Sequence, residues 1–131
     1  MSDILEPQTF RVTRADLVRY AGASGDFNPI HWSERTATSV GLPGVIAHGM
    51  FTMALVGRAV THWAGAPDAV VELSVRFSKP VPVPDTDEGT EVVVSATIKG
   101  VTDEGHTRLS LTATCGGDKV LSMSQALIRK R

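Results

Sequence analysis

Residues 45–65, "VIAHGMFTMALVGRAVTHWAG", constrain the fold more than any other stretch. Met50, Phe51, Met53, Ala54, Leu55, Val56, Ala59, Val60 and Trp63 leave almost no polar side, so this segment reads as a helix buried nearly all round. It is too short to cross a bilayer comfortably and carries Arg58 and His62. Something else in the chain must wrap it.

Everything after Ala69 reads in strand periods: "AVVELSVRFSKP", "GTEVVVSATIKGV", "HTRLSLTATCGG" and "KVLSMSQALIRK". Apolar residues alternate at Val92, Val94, Ala96 and Ile98, and again at Leu109, Leu111 and Ala113. Turn signals "DEG" (103–105) and "GGD" (116–118) join the last three strands as antiparallel hairpins. Pro80, Pro82 and Pro84 forbid a central strand over "KPVPVPDTDEG" and mark an exposed crossing. With no second apolar layer available, the sheet is expected to curl around the one buried helix, an α+β layout. Its outer face and edge strand need cover, and self-association is the simplest cover.

The 131 residues, 42% of them apolar, can bury one core, so residues 1–131 are taken as a single domain. Thirteen Lys and Arg against fourteen Asp and Glu, with no basic run beyond the closing "RKR", leave no footprint for nucleic acid. No signal peptide or membrane span is legible, which points to a cytoplasmic protein. The single cysteine, Cys115, forms no intramolecular disulfide and reads as a packing or edge residue.

Upstream, "TFRVT" (9–13) alternates briefly. "TRADLVRYAGAS" then spaces Leu17, Val18 and Ala21 as a short helix capped by Thr13 and ending near Gly22 or Gly25. A second short helix, capped by Ser33 and closed by Gly41, follows. Between them lies "SGDFNPIHW" (24–32). Gly25, Asp26, Asn28 and Pro29 account for a turn, but a turn has no use for a histidine at position 31.

"YAGASGDFNPIHW" followed by "GLPGVIAHGM" resembles the hydratase 2 motif of the MaoC-like hotdog-fold dehydratases, with both halves at the expected spacing. The strand layout agrees across nearly the whole chain. "RFSKPVPVPD" and "LTATCGGDKV" are similar to segments of the small catalytic chains of (3R)-hydroxyacyl-acyl-carrier-protein dehydratases of mycolic-acid synthesis. The resemblance implies reversible dehydration of (3R)-3-hydroxyacyl thioesters to trans-2-enoyl thioesters in fatty acid elongation. It further implies a homodimer, or a heterodimer with a related hotdog subunit, and no cofactor.

The resemblance makes Asp26 and His31 the catalytic pair, and the chemistry agrees. Loss of water from such a thioester needs a base for the C2 proton, an acid for the departing hydroxyl, and donors for the thioester oxygen as it gains enolate character. Histidine, with an ordinary pKa of about 6.5, can work in either direction, while a carboxylate orients it or holds the water. Pro29 keeps Asn28 extended, so the motif must fold as a loop for the two side chains to meet. The resemblance gives the oxyanion role to the backbone N–H of Gly49, where unpaired helix donors collect and no side chain blocks the approach.

Asn28 is expected to hold the loop through side-chain to backbone bonds. His48 either lines the site or braces the loop, with bracing preferred. Tyr20 is expected to shape the pocket. Met50, Phe51 and Met53 could touch an acyl chain, although core packing is the commoner role. His62 and His106 read as surface or helix-end residues. Arg76 and Lys79 are candidates for a phosphopantetheine arm by charge alone. No Cys or His cluster has metal-ligand spacing, and no glycine-rich loop follows a strand, so neither metal nor nucleotide is implied. Three rival readings stand: an (R)-specific enoyl-CoA hydratase using the same site, a non-catalytic hotdog partner subunit, and a hotdog thioesterase.

Overall fold

The computed structural model describes residues 3–129. The chain begins with strand β1 (Gln8–Val12) and helix α1 (Arg14–Ser24). Thr13 starts α1 through a capping box: its hydroxyl accepts from Asp16 N, and its own N–H donates to Asp16 Oδ2 at 2.9 Å. Gly25 ends the helix in the left-handed region at φ 77°, its N–H on Ala21 O. A one-turn 3-10 helix (Pro29–His31) and α2 (Glu34–Ser39), capped by Ser33, follow.

The long apolar segment divides in two. Residues 45–47 are extended, and α3 (Gly49–Ala64) begins only after His48 and stops at Gly65, which has φ 86°. Beyond α3 lie β2 (Val70–Phe77), β3 (Thr90–Val101), β4 (His106–Cys115), β5 (Asp118–Lys119) and β6 (Leu121–Arg129). The sheet is antiparallel in the order β1-β3-β4-β6-β2, with β5 paired only to β4. The last predicted strand is therefore interrupted at Val120, and its final residue, Lys130, lies outside the described residues.

Helix α3 packs against β2, β3 and β6. Leu55, Val56, Ala59 and Val60 join Val92, Val94, Leu109, Leu111, Ala113 and Ala126 in one cluster. Each fully buried aliphatic side chain there contributes about 1.5–3 kcal/mol relative to exposure. Cys115 is part of this cluster, with its sulfur 3.2 Å from the Thr90 hydroxyl.

Two expectations need correction. Helix α3 is not buried all round: Met50 is 60% exposed, and Ala54, Arg58 and His62 share the open side. A six-stranded sheet can cover only one side of a helix, so the rest remains bare in one chain. The proline-rich crossing is likewise not simply exposed. Val81 and Val83 are buried, while Pro80, Pro82 and Pro84 face out. Val81 O accepts from Ala47 N, and Val83 N donates to Val45 O, both at 2.9 Å. Placing proline at alternate positions leaves the needed N–H groups on the valines, so this segment pairs with residues 45–47 and fixes the entry to α3. Gly89, at φ 60°, is required where the chain returns to β3, because a Cβ there would strike the Val12 carbonyl.

Candidate active site

The loop 24–32 takes its shape from successive side-chain caps. Asp26 Oδ1 accepts from Asn28 N, and Asn28 Oδ1 accepts from Ile30 N, each at 3.2 Å. Pro29 opens the 3-10 turn, where it sacrifices no hydrogen bond, and Trp32 Nε1 donates to Phe27 O at 2.9 Å. Asp26 thus has one carboxylate oxygen on the loop backbone and remains exposed, while His31 is carried inward to 7% exposure.

The strand-like segment before α3 locks this loop in place. Ile46 N donates to Ile30 O at 3.2 Å, and the His31 ring reaches Ile46 O through Nδ1 at 2.8 Å. A carbonyl only accepts, so Nδ1 carries the proton and Nε2 of the neutral ring keeps its lone pair. Such a lone pair can accept a proton.

His48 is the N-terminal boundary residue of α3 but does not cap the helix with its side chain. Its Nε2 donates to Asp26 O at 3.2 Å, and its ring stacks on His31 with centroids 3.8 Å apart and planes 22° from parallel. Tyr20 packs on the same ring at 4.7 Å. Only 1% exposed, His48 has its pKa lowered, first by burial and then by the charge of a protonated His31, against the opposing pull of the Asp26 carbonyl and carboxylate. Its Nδ1 is buried without a partner among the described residues.

Asp26, His31 and His48 each place one potential ligand atom within 4.8 Å of the others, a cluster that residue spacing did not foreshadow. The rings of His31 and His48 are nearly parallel, so the two imidazoles meet face to face.

His31 and Gly49 line one cavity of about 340 Å³, closed by Ala47, Thr52, Val81 and Val120 and by the chain from Phe77 to Pro80. The Phe77 ring lies against Gly49: a Cβ at that glycine would meet Phe77 Cε2 at 3.3 Å. Lys79 reaches the cavity rim, whereas the Arg76 guanidinium turns away to the Met123 sulfur. Neither Tyr20 nor Met50 lines the cavity. Tyr20 touches the site only through His48 and Phe51, and Met50 faces outward.

The sequence pattern of the MaoC like domain matches residues 2–114. The chain belongs to the MaoC-like domain family. It is 51% identical over 76 residues to 3-hydroxyacyl-thioester dehydratase X of Mycobacterium tuberculosis, covering 58% of this chain and 26% of that one. It is 30% identical over 131 residues to 3-hydroxybutyryl-CoA dehydratase of Methylorubrum extorquens, covering 98% and 78%. A solved MaoC-like dehydratase superposes with a TM-score of 0.93 at 38% identity, over 99% of this chain and 40% of that one. The chain thus spans about a quarter of the first of these relatives.

For a MaoC-like chain the curled antiparallel sheet around α3 is the hotdog arrangement. Sequence reading missed most of its cavity wall, Thr52 and Phe77 among it. Thr52 carried a signal, being a polar residue at a buried position of an apolar helix. Phe77 carried none, since an aromatic at a strand end has many uses.

Proposed function

We propose that this chain dehydrates (3R)-3-hydroxyacyl thioesters reversibly to trans-2-enoyl thioesters. One observation carries the reading: the Asp26 carboxylate and the His31 ring meet within 4.8 Å, and His31 shares a cavity with the first residue of α3. The first turn of a helix has N–H groups without intrahelical partners, and the first residue of α3, Gly49, lines the same cavity as His31.

In the dehydration direction, His31 Nε2 takes the C2 proton, and the electron pair moves toward the thioester oxygen at the Gly49 N–H. The enolate then re-forms its carbonyl as C2=C3 forms and the C3–O bond breaks. The proton on His31 passes to the departing hydroxyl, so water leaves while the Asp26 carboxylate holds it. His48 braces both members, Asp26 through its carbonyl and His31 by stacking, and Asn28 holds the loop. Dehydration of hydroxyacyl thioesters is also the activity named for both curated relatives above.

Asp26→Asn and His31→Ala should each reduce hydration of a trans-2-enoyl thioester, read as loss of its conjugated absorbance, by at least about 100-fold on folded protein. Near-normal turnover by either variant would overturn the reading. The carrier is assigned to acyl carrier protein in fatty acid elongation. The CoA relative, matched over nearly this whole chain, favours a second reading with CoA thioesters, and comparing kcat/KM on the two carriers separates them. The bare side of α3 and the free edge of β2 support a second hotdog chain, a copy or a related subunit, as partner.

A further inference from the structure

Two hydroxyl side chains are buried within the described residues, Thr52 at 3% exposure and Ser124 at 4%. Ser124 is fully engaged: its Oγ accepts from Arg76 N and donates to Ser122 O, both at 3.1 Å. Thr38, also within a helix, turns its hydroxyl back onto the Glu34 and Arg35 carbonyls. Thr52 does neither. Its backbone N–H bonds His48 O at 3.1 Å, but its hydroxyl has no partner among the described residues.

That hydroxyl is not among the fully buried atoms without a partner, so it opens to the cavity, where a ligand or a solvent molecule can satisfy it. Thr52 lines the cavity that also holds His31 and Gly49. It stands three residues after Gly49, on the same face of α3, and helical side chains lean back toward the N-terminus. The side chain therefore leans toward the end of α3 where Gly49 lies.

We propose that the Thr52 hydroxyl is the second donor to the thioester oxygen, completing with the Gly49 N–H an oxyanion pocket built from the first turn of α3. This rests on the reaction assigned above. A carbonyl oxygen has two lone pairs, and both gain charge as the C2 proton leaves, so a single backbone donor would satisfy only half of the developing enolate. No proton is exchanged at Thr52. It only donates a hydrogen bond that strengthens in the transition state, so its loss falls on kcat more than on KM.

The test compares Thr52→Val, which keeps the shape and removes the hydroxyl, with Thr52→Ser, which keeps the hydroxyl and removes the methyl. Hydration of trans-2-butenoyl-CoA is followed by absorbance, with thermal melts in parallel and Asp26→Asn as reference. Thr52→Val is expected to lower kcat about 10- to 100-fold with KM within about threefold and a melting temperature no lower than wild type. Thr52→Ser should stay within about fivefold of wild type. Wild-type-like kcat in Thr52→Val beside an inactive Asp26→Asn overturns this inference alone. Equal losses in the Val and Ser variants overturn it too, since the methyl would then be what matters. An active Asp26→Asn, or a wild-type chain without turnover on the butenoyl thioesters of both CoA and acyl carrier protein, overturns the assignment of the reaction itself.

Discussion

Replacing Gly49 by alanine should separate stability from activity at the start of α3. The backbone at Gly49 does not require glycine, for its φ lies outside the left-handed region. Alanine in a helix is favoured over glycine by up to about 1 kcal/mol. Against this gain, the new Cβ would approach Phe77 Cε2 at 3.3 Å and Cζ at 3.4 Å. That is tight, but the ring is 46% exposed and can give by a few tenths of an ångström. The net change in folding free energy should therefore stay within about 1 kcal/mol of wild type.

Activity should behave otherwise. The added methyl occupies the approach by which a thioester oxygen reaches the Gly49 N–H, in the cavity that also holds His31. Losing one oxyanion donor typically costs about 2.7–4 kcal/mol, or 100- to 1000-fold in kcat. Gly49→Ala should thus melt within a few degrees of wild type while hydration of an enoyl thioester falls by at least about 100-fold. Retention of activity within about threefold would refute the assignment of this N–H. An equal collapse of stability would show that Phe77 cannot yield, and the glycine would then be needed for packing.

Two further outcomes follow from the same geometry. His48 is held neutral by burial, so its folded pKa lies below the ordinary value of 6.5 that it has in the unfolded chain. Above that pH both states leave the ring uncharged and its contribution is complete. As pH falls below it, the unfolded chain takes up a proton that the folded chain resists, and stability declines until the folded pKa is passed. Urea denaturation at pH 5 to 8 should show this slope, and His48→Gln, which keeps an N–H for Asp26 O, should flatten it; an unchanged slope would assign the effect elsewhere. Native mass spectrometry of the purified chain, alone and with a co-expressed hotdog relative, should find a dimer, and a monomer in both cases would refute the proposed partner.

How far the site could be read in advance differs residue by residue. Asp26 and His31 stood out because glycine, asparagine and proline around them forbid a helix, and such punctuation is local chemistry. Gly49 stood out only through the resemblance of "AHG" to the family motif, and the structure places it at the first position of α3. Thr52, Phe77 and the His31–His48 stack depend on how α3 meets β2 and the loop, so one sequence offers little trace of them. Tyr20 and Met50 show the converse: both stand near the motif, but Tyr20 packs on His48 and Phe51 and Met50 faces outward, so neither lines the cavity.

Alternating apolar residues determined β3 and β4, turn residues determined their hairpin, and the long apolar run determined a helix that packs against the sheet. These follow from neighbours along the chain. Tertiary structure alone decided that "PVPVP" pairs with residues 45–47, that the Ile46 carbonyl takes the N–H of His31 Nδ1, and that Thr52 of α3 lines the same cavity as His31. Each of these is a contact between segments far apart in sequence, set by the shape of the packed core, and no periodicity encodes it.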